Sequence, residues 1–495
     1  MSLQTLSAAL LLFPALPLLL AAVTVVTRNK TVDRVLLFVW PVLQFAAAAY
    51  LLVRQQEQPV LGHNTGGFEG GVAIAVAADP TTSILLMVTA IATFSAVWFM
   101  TASEETQYRF AAGLIFMLVG GVNGALITAD LFNLFVFIEV MLLPSYALIA
   151  MTGGLKRLGV GRMFVVVNLV TSTILVMGVG LLYGSAGTVN LAALAGMGSD
   201  NPVVGAALTV VMLALTIKAG AVPVHGWLPS AYPGTSAGMM ALFSGLHTKV
   251  GVYAVMRVYF ICFNTPPKWQ WVITVVVVAT ILVGSLLSLG QHYGRGVLAY
   301  QMVSGVGHIL LAVVIFSAAA VSAGLFYLVH HIITMGALLL LFGAIEQHYG
   351  PMRLNRFSGF LQQEPLIGFL AAFGLLSLAG LPPTSGLWGK LNLMFAATDT
   401  PLAALLITVI LLGSLLTLLA LMRLYKEIFY GNQSERYLHV PSNQIPFRSV
   451  APGAFMILLS VAMFVFAGPI QDITDQAGSV FLDRAQYQQS ILETP

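Results

Sequence analysis

The 495-residue chain is 58% hydrophobic and only 8% charged, with a mean hydropathy of +0.93 and a formal net charge of +3. A soluble domain carries about 25% charged residues, so this composition excludes an ordinary water-soluble protein. The small, scattered positive charge excludes nucleic acid as a partner, and a single cysteine, Cys262, excludes an internal disulfide or a cysteine-built cluster.

Runs of about 20 apolar residues are long enough to cross the hydrocarbon layer as helices. They are predicted at 5–26, 34–53, 82–101, 110–129, 131–151, 161–184, 203–222, 235–257, 270–290, 296–317, 320–345, 366–381, 401–422 and 450–468. The fold class is therefore an all-α polytopic membrane protein with about 14 transmembrane helices. No basic residue precedes the first run, and Arg28, Lys30 and Arg34 follow it, so it reads as a retained span. The Gly-rich polar stretch 55–80 reads as an external loop or hairpin, and the tail after 468 as short and polar. Fourteen of the 21 Lys and Arg residues fall in loops after odd-numbered spans. Loops after even-numbered spans and the tail hold Arg54, Arg257, Lys268 and Arg484, and the other three are Lys218, Lys249 and Lys390. Positive charge marks the cytoplasmic side. Both termini are accordingly expected outside.

Those three lysines lie in runs too apolar to be surface helices. A lysine at membrane depth costs roughly 2.5–3.5 kcal/mol on insertion scales, so each asks for a reason. The seventh span breaks beside Lys218, in KAGAVPVHGWLP, where Pro223 and His225 lie. The twelfth breaks beside Lys390, in AGLPPTSGLWGK, where Pro382 and Pro383 lie. Proline removes a backbone donor, and an interrupted helix at membrane depth is tolerated only against protein or a wet cavity. The two breaks are five spans apart, so their units have opposite orientations, the pattern of an inverted-repeat transport site. The expected units are helices 1–3 (1–109), a first inverted repeat of helices 4–8 (110–260), a second of helices 9–13 (261–430), and a last helix with its tail (431–495).

Desolvation lowers the pKa of a lysine and a nearby carboxylate raises it, so a moving counter-ion can switch a buried lysine between loaded and empty. Glu139, in LFNLFVFIEVMLLPSYALIA, reads either as a proton site that tunes Lys218 or as a carboxyl paired for packing alone. Lys390, near a helix end, reads either as a relay or as a side chain that snorkels to the interface. His330 and His331 share the eleventh span with Thr334, and His308 follows Ser304 and Tyr300 at helical spacing in the tenth. Each histidine reads either as a satisfied core residue or as part of a hydrated proton path, and polar stripes converging in an apolar bundle favour the path. Asp79 and Asp130 lie near span ends, where solvation is expected. No histidine pair has metal-ligand spacing with a second cluster, and phosphate loops and dinucleotide fingerprints are absent from the sequence, so neither metal nor cofactor is assigned.

The stretch KAGAVPVHGWLPSAYPGTSAGMMALFSGLHTKVGVY resembles the signature of the proton-translocating antiporter-like family. That family contains the large membrane-arm subunits of respiratory complex I and two subunits of the Mrp multisubunit cation/proton antiporters. AGLPPTSGLWGK resembles its second broken helix. With LFNLFVFIEVMLLPSYALIA, GRGVLAYQMVSGVGHIL and YLVHHIITMGALLLLFGAI, the resemblance covers nearly the whole chain and is closest to the D-type Mrp branch. It implies a fourteen-helix fold and a proton path through Glu139, Lys218, Lys249 and Lys390, with Lys218 the central base and Glu139 its partner. The polar stripes, read from the residues themselves, add His331, His330 and His308 to the candidate path. The resemblance further implies a secondary transporter subunit and not an enzyme, placed in a bacterial cell membrane among other antiporter subunits and exchanging protons for Na+. Two departures stand out: Met335 where many relatives carry a lysine, and His308 where many carry a tyrosine. The relay beyond Lys249 is therefore expected to take another route. Two further readings compete: a proton-pumping subunit of complex I or a related hydrogenase, and a structural subunit whose buried charges only pack the assembly.

Overall fold

The computed structural model describes residues 3–151, 155–354, 358–431 and 445–493. Apart from the short helices Leu3–Ala9, Met197–Asp200 and Phe360–Gln363, its helices in chain order are α1 (Leu12–Thr27), α2 (Lys30–Arg54), α3 (Pro80–Ala102), α4 (Ala111–Ile127), α5 (Leu131–Ala150), α6 (Leu155–Ala186), α7 (Pro202–Ala219), α8 (Trp227–Ala231) and α9 (Ala237–Cys262). There follow α10 (Gln270–Leu289), α11 (Gly294–Ile315), α12 (Ala318–Tyr349), α13 (Pro365–Ala379), α14 (Ser385–Ala397), α15 (Ala403–Phe429), α16 (Phe447–Val465), α17 (Ala467–Leu482) and α18 (Arg484–Leu492). Twelve helices among the described residues are long and apolar enough to cross a membrane, and the shorter apolar α4 and α13 fill the two remaining predicted spans. Of the basic loop residues, Arg356 and Arg436 lie outside the described residues, as do the side chains of Lys156 and Arg157.

The spans start where the sequence supplies caps. Asp79, Asp130, Asn201, Ser236 and Ser317 each accept a hydrogen bond from an amide in the first turn of the helix that follows. Both broken helices stop the same way. α7 ends at Gly220 and α13 at Gly380, each in the left-handed region (φ 82° and 87°) where a glycine alone carries little strain. Amides of Gly220 and Ala221 return to Ile217 and Thr216, and those of Gly380 and Leu381 to Ser377 and Leu376. These bonds satisfy carbonyls that the break would otherwise orphan. Beyond the prolines the chain resumes as α8 and α14.

At the centre stand α9, α11 and α12, buried along nearly all their length, while α1, α2, α6, α10 and α15 keep most of their surface outward. A helix that is apolar on every side can sit only in such a core. The 55–80 stretch forms a hairpin of β1 (Leu61–Asn64) and β2 (Ala75–Ala78), antiparallel with Leu61 opposite Ala78.

Three sequence expectations are corrected here. The tail after 468 is not merely a short polar end: it forms the amphipathic α17 and then α18, which sits on the hairpin. There Asn64 Nδ2 donates to the Ile491 carbonyl at 2.9 Å, and any Cβ at Gly62 would collide with the Ser490 carbonyl. Asp79 and Asp130 are not solvated but buried. Burial raises the Asp130 carboxyl above its ordinary range, against amide bonds from Asn133 and Phe132 that lower it. Arg257 is not a loop residue but lies inside α9, where Nη1 pairs with Asp79 Oδ2 at 2.7 Å.

Candidate functional site

Lys218 lies in the last turn of α7, where the carbonyl end of the helix favours a cation, and is 6% exposed. Its Nζ donates to Ser172 Oγ at 3.2 Å and to Asn168 Oδ1 at 3.4 Å, both on α6. The Ser172 hydroxyl donates in turn to Glu139 Oε1 on α5 through a short contact. A hydroxyl has one proton to give and two lone pairs to receive, so Ser172 can serve the ammonium and the carboxylate at once. Glu139 and Lys218 thus make no direct ion pair; the expected pairing runs through Ser172. Glu139 itself is half-buried. Asn168 is oriented by donating to the Phe164 carbonyl at 2.8 Å, which leaves its oxygen for the lysine. The sequence reading missed Asn168 and Ser172. The signal available was their i, i+4 spacing, which puts both on one face of α6.

Beside Lys218, α9 meets α7 where Gly251 abuts the Ala219 backbone. His247 takes or gives a hydrogen bond at 2.9 Å with Ser145 Oγ of α5, and its ring stacks on Phe243 at 4.5 Å. Lys249 is 3% exposed and donates to Thr248 Oγ1 at 3.3 Å. On its other side α9 meets α12 where Gly245 packs on Ile332, the residue after His331. His331 presses against Gly305 of α11 so closely that no side chain could stand at that position.

In the second half, Lys390 of α14 is 4% exposed and donates to the Ala379 carbonyl, the last of α13, at 2.9 Å. It turns into the break and does not snorkel. His330 Nδ1 is 2.8 Å from Ser385 Oγ and 3.3 Å from Thr334 Oγ1. Those two hydroxyls join Ser377 and Ser460 in a buried cluster with oxygen separations of 2.8–3.4 Å. His308 bonds the Ser304 carbonyl at 2.9 Å, while the Ser304 hydroxyl pairs with Ser285. Tyr327, absent from the sequence reading, joins the three histidines: its ring lies 5.3 Å from His308, 5.4 Å from His330 and 6.1 Å from His331. His225 stands apart at the first break, half-buried, with its ring 6.5 Å from Tyr300. Hydrogen bonds and ring contacts thus bring the predicted residues together in two groups, Glu139 with Lys218 through Ser172 and the three histidines around Tyr327, while Lys249 and Lys390 bond Thr248 and the Ala379 carbonyl.

Residues 128–418, from the start of α5 into α15, match the family described as NADH:quinone oxidoreductase/Mrp antiporter, TM. The chain belongs to this family. One relative in it is the D-type chain of a Na+/H+ antiporter from Alkalihalophilus pseudofirmus, 30% identical over 475 residues that cover 94% of this chain and 95% of the relative. Another, the D-type chain of a Na+/H+ antiporter from Bacillus subtilis, is 31% identical over 437 residues, covering 86% and 87%. Among solved structures, a chain of the Mrp complex from Dietzia sp. DQ12-45-1b superposes with a TM-score of 0.93 at 37% identity, covering 99% of this chain and 100% of that one. A chain of respiratory complex I from Thermus thermophilus shares the fold at a TM-score of 0.77 and 21% identity, covering 95% of this chain and 99% of that one. This is a multi-span membrane protein of the antiporter family.

Proposed function

We propose that the chain is the D-type membrane component of a multisubunit Na+/H+ antiporter, working with partner subunits in a bacterial cell membrane, both termini outside. Protons pass along Glu139, Ser172, Lys218, Lys249, the three histidines and Lys390, and their inward flow drives cation efflux. Two relatives of the D type, matched over nearly their whole length, favour this branch. The basic loops set the direction, and both chain ends meet the hairpin on one face of the bundle.

The observation that carries the reading is the hydroxyl bridge from Lys218 through Ser172 to Glu139. With Glu139 ionised, the serine proton points to the carboxylate and its lone pairs support the ammonium. A proton arriving on Glu139 removes that pull, the ammonium loses support in a desolvated place, and Lys218 releases its proton toward α9. The reading takes 261–430 as a repeat of 110–260 in the opposite sense, and the place of Lys390 at the second break, as Lys218 at the first, supports it.

The test is exchange by the assembled complex in inverted membrane vesicles. Lys218→Ala and Glu139→Ala are each expected to assemble and to abolish proton-coupled Na+ exchange. A structural role for these charges predicts intact exchange by Lys218→Ala, and that result would remove the proposal.

A further inference from the structure

Two hollows on the face opposite the hairpin share a wall. An apolar groove of about 470 Å³ runs between α1 and α4, walled by Leu18, Ala22, Leu114 and Met117. It leads into a polar hollow of about 250 Å³ ringed by Arg28, Lys30, Asp33 and Arg109. Val25 and Phe110 line both, so groove and hollow adjoin. The backbone builds this directly. Arg28 ends α1 in the left-handed region (φ 51°), and Asn29 caps α2 by accepting the Thr31 amide at 2.9 Å, so Lys30 and Asp33 open α2 beside Arg28. The Arg109 guanidinium lies 4.9 Å over the Phe110 ring at the mouth of the groove. Gly113 forms part of the groove floor, where an added Cβ would stand 3.2 Å from Val25.

Three cations face one carboxylate in this hollow. No ion pair among the described residues engages Asp33, and its enclosed Oδ1 has no hydrogen-bond partner. As a first-turn acid Asp33 steadies the start of α2, but that role leaves the orphan oxygen unexplained. Asp33 is half-buried, but its enclosed oxygen lacks a donor, which is unfavourable and calls for a group to satisfy it. A ligand that fits must present an alkyl chain, an anion for three cations and a cationic donor for one carboxylate oxygen. These belong together in a phospholipid with a phosphate and a primary ammonium in its headgroup.

We propose that this groove and hollow bind phosphatidylethanolamine, its phosphate among Arg28, Lys30 and Arg109, its ammonium on Asp33 and one acyl chain between α1 and α4. The site uses none of the residues of the proposed proton path and stands whether or not the antiport reading holds.

The test uses the intact complex, delipidated, reconstituted into phosphatidylcholine nanodiscs doped equally with phosphatidylethanolamine and phosphatidylglycerol, and re-extracted for counting of retained lipid by mass spectrometry. The wild type is expected to retain phosphatidylethanolamine over both others. Arg28→Gln and Arg109→Gln should each lower that retention about fivefold. Asp33→Asn should keep phospholipid but erase the preference over phosphatidylglycerol, and Ala22→Phe should expel the lipid by filling the groove from its exposed side. Where Arg28→Gln fails to assemble, Lys30→Gln takes its place. Equal retention of the three lipids, or indifference to these variants, overturns the site. So does competition by chainless glycerophosphoethanolamine as strong as by the lipid, or cross-linking of position 22 to a neighbouring protein in the native complex, which would give the groove to protein.

Discussion

Ser172 is where a single residue matters most. Its hydroxyl bonds both Glu139 and Lys218, and a hydrogen bond to a charged partner contributes about 1.5–3 kcal/mol. Ser172→Ala is therefore expected to slow proton-coupled exchange by at least about tenfold, the equivalent of ~1.4 kcal/mol, while the complex assembles normally. Ser172→Thr, which keeps the hydroxyl, should restore most of the rate. Exchange by the alanine variant at the wild-type rate in vesicles would mean that carboxylate and lysine communicate by another route. The charged ends of this bridge were legible in the sequence because a charge inside an apolar run is conspicuous. Its middle was not, because a serine or asparagine in a membrane helix can satisfy itself on its own backbone, as Thr171 does on the Val167 carbonyl at 2.7 Å. Tyr327 was hidden for a similar reason: an aromatic ring in an apolar helix reads as core until three histidines are found around it.

The spans were readable from length and apolarity alone, and both breaks from proline beside a charge. What the break does with its lysine was not. Lys390 donates to the final carbonyl of α13, and an added Cβ at Gly380 would stand 2.7 Å from its Cδ, so the side chain is part of the helix end as well as of the proposed path. Arginine offers donors enough to keep that carbonyl satisfied, yet it does not give up its proton near neutral pH. Lys390→Arg is thus expected to assemble and to resist heat much as the wild type does, while exchange falls to background. Wild-type exchange by this variant would make Lys390 a fixed charge that only caps α13. The element most fully missed was α17. Its buried positions Thr474, Ala477, Gly478 and Phe481 follow the i, i+3, i+4, i+7 rule of an amphipathic helix. A search for membrane-length apolar runs passes over such a stripe.

The molecule as a whole is closed at one face by groups that lie far apart in the chain. Arg257 of α9 pairs with Asp79 at the start of α3 at 2.7 Å, and its guanidinium lies 4.1 Å from the Phe481 ring of α17. Its Nε also meets the Tyr253 hydroxyl at 3.1 Å, which donates to the Leu126 carbonyl at the end of α4. One buried cation thus ties together α3, α4, α9 and the C-terminal helices, and α18 extends the contact to the hairpin. Removing one partner of a buried pair leaves the other charge desolvated and alone, at about 3–5 kcal/mol, whereas replacing both by apolar groups of similar volume is often neutral. Asp79→Asn should therefore lower the unfolding temperature of the purified complex markedly, and Asp79→Leu combined with Arg257→Met should recover most of the loss. Arg257 stands eight residues beyond Lys249, about 12 Å along α9, so molecules of Asp79→Asn that stay folded are expected to exchange protons at the wild-type rate. A variant that keeps its unfolding temperature but loses exchange would move Asp79 and Arg257 from the closure of this face into the proton path itself.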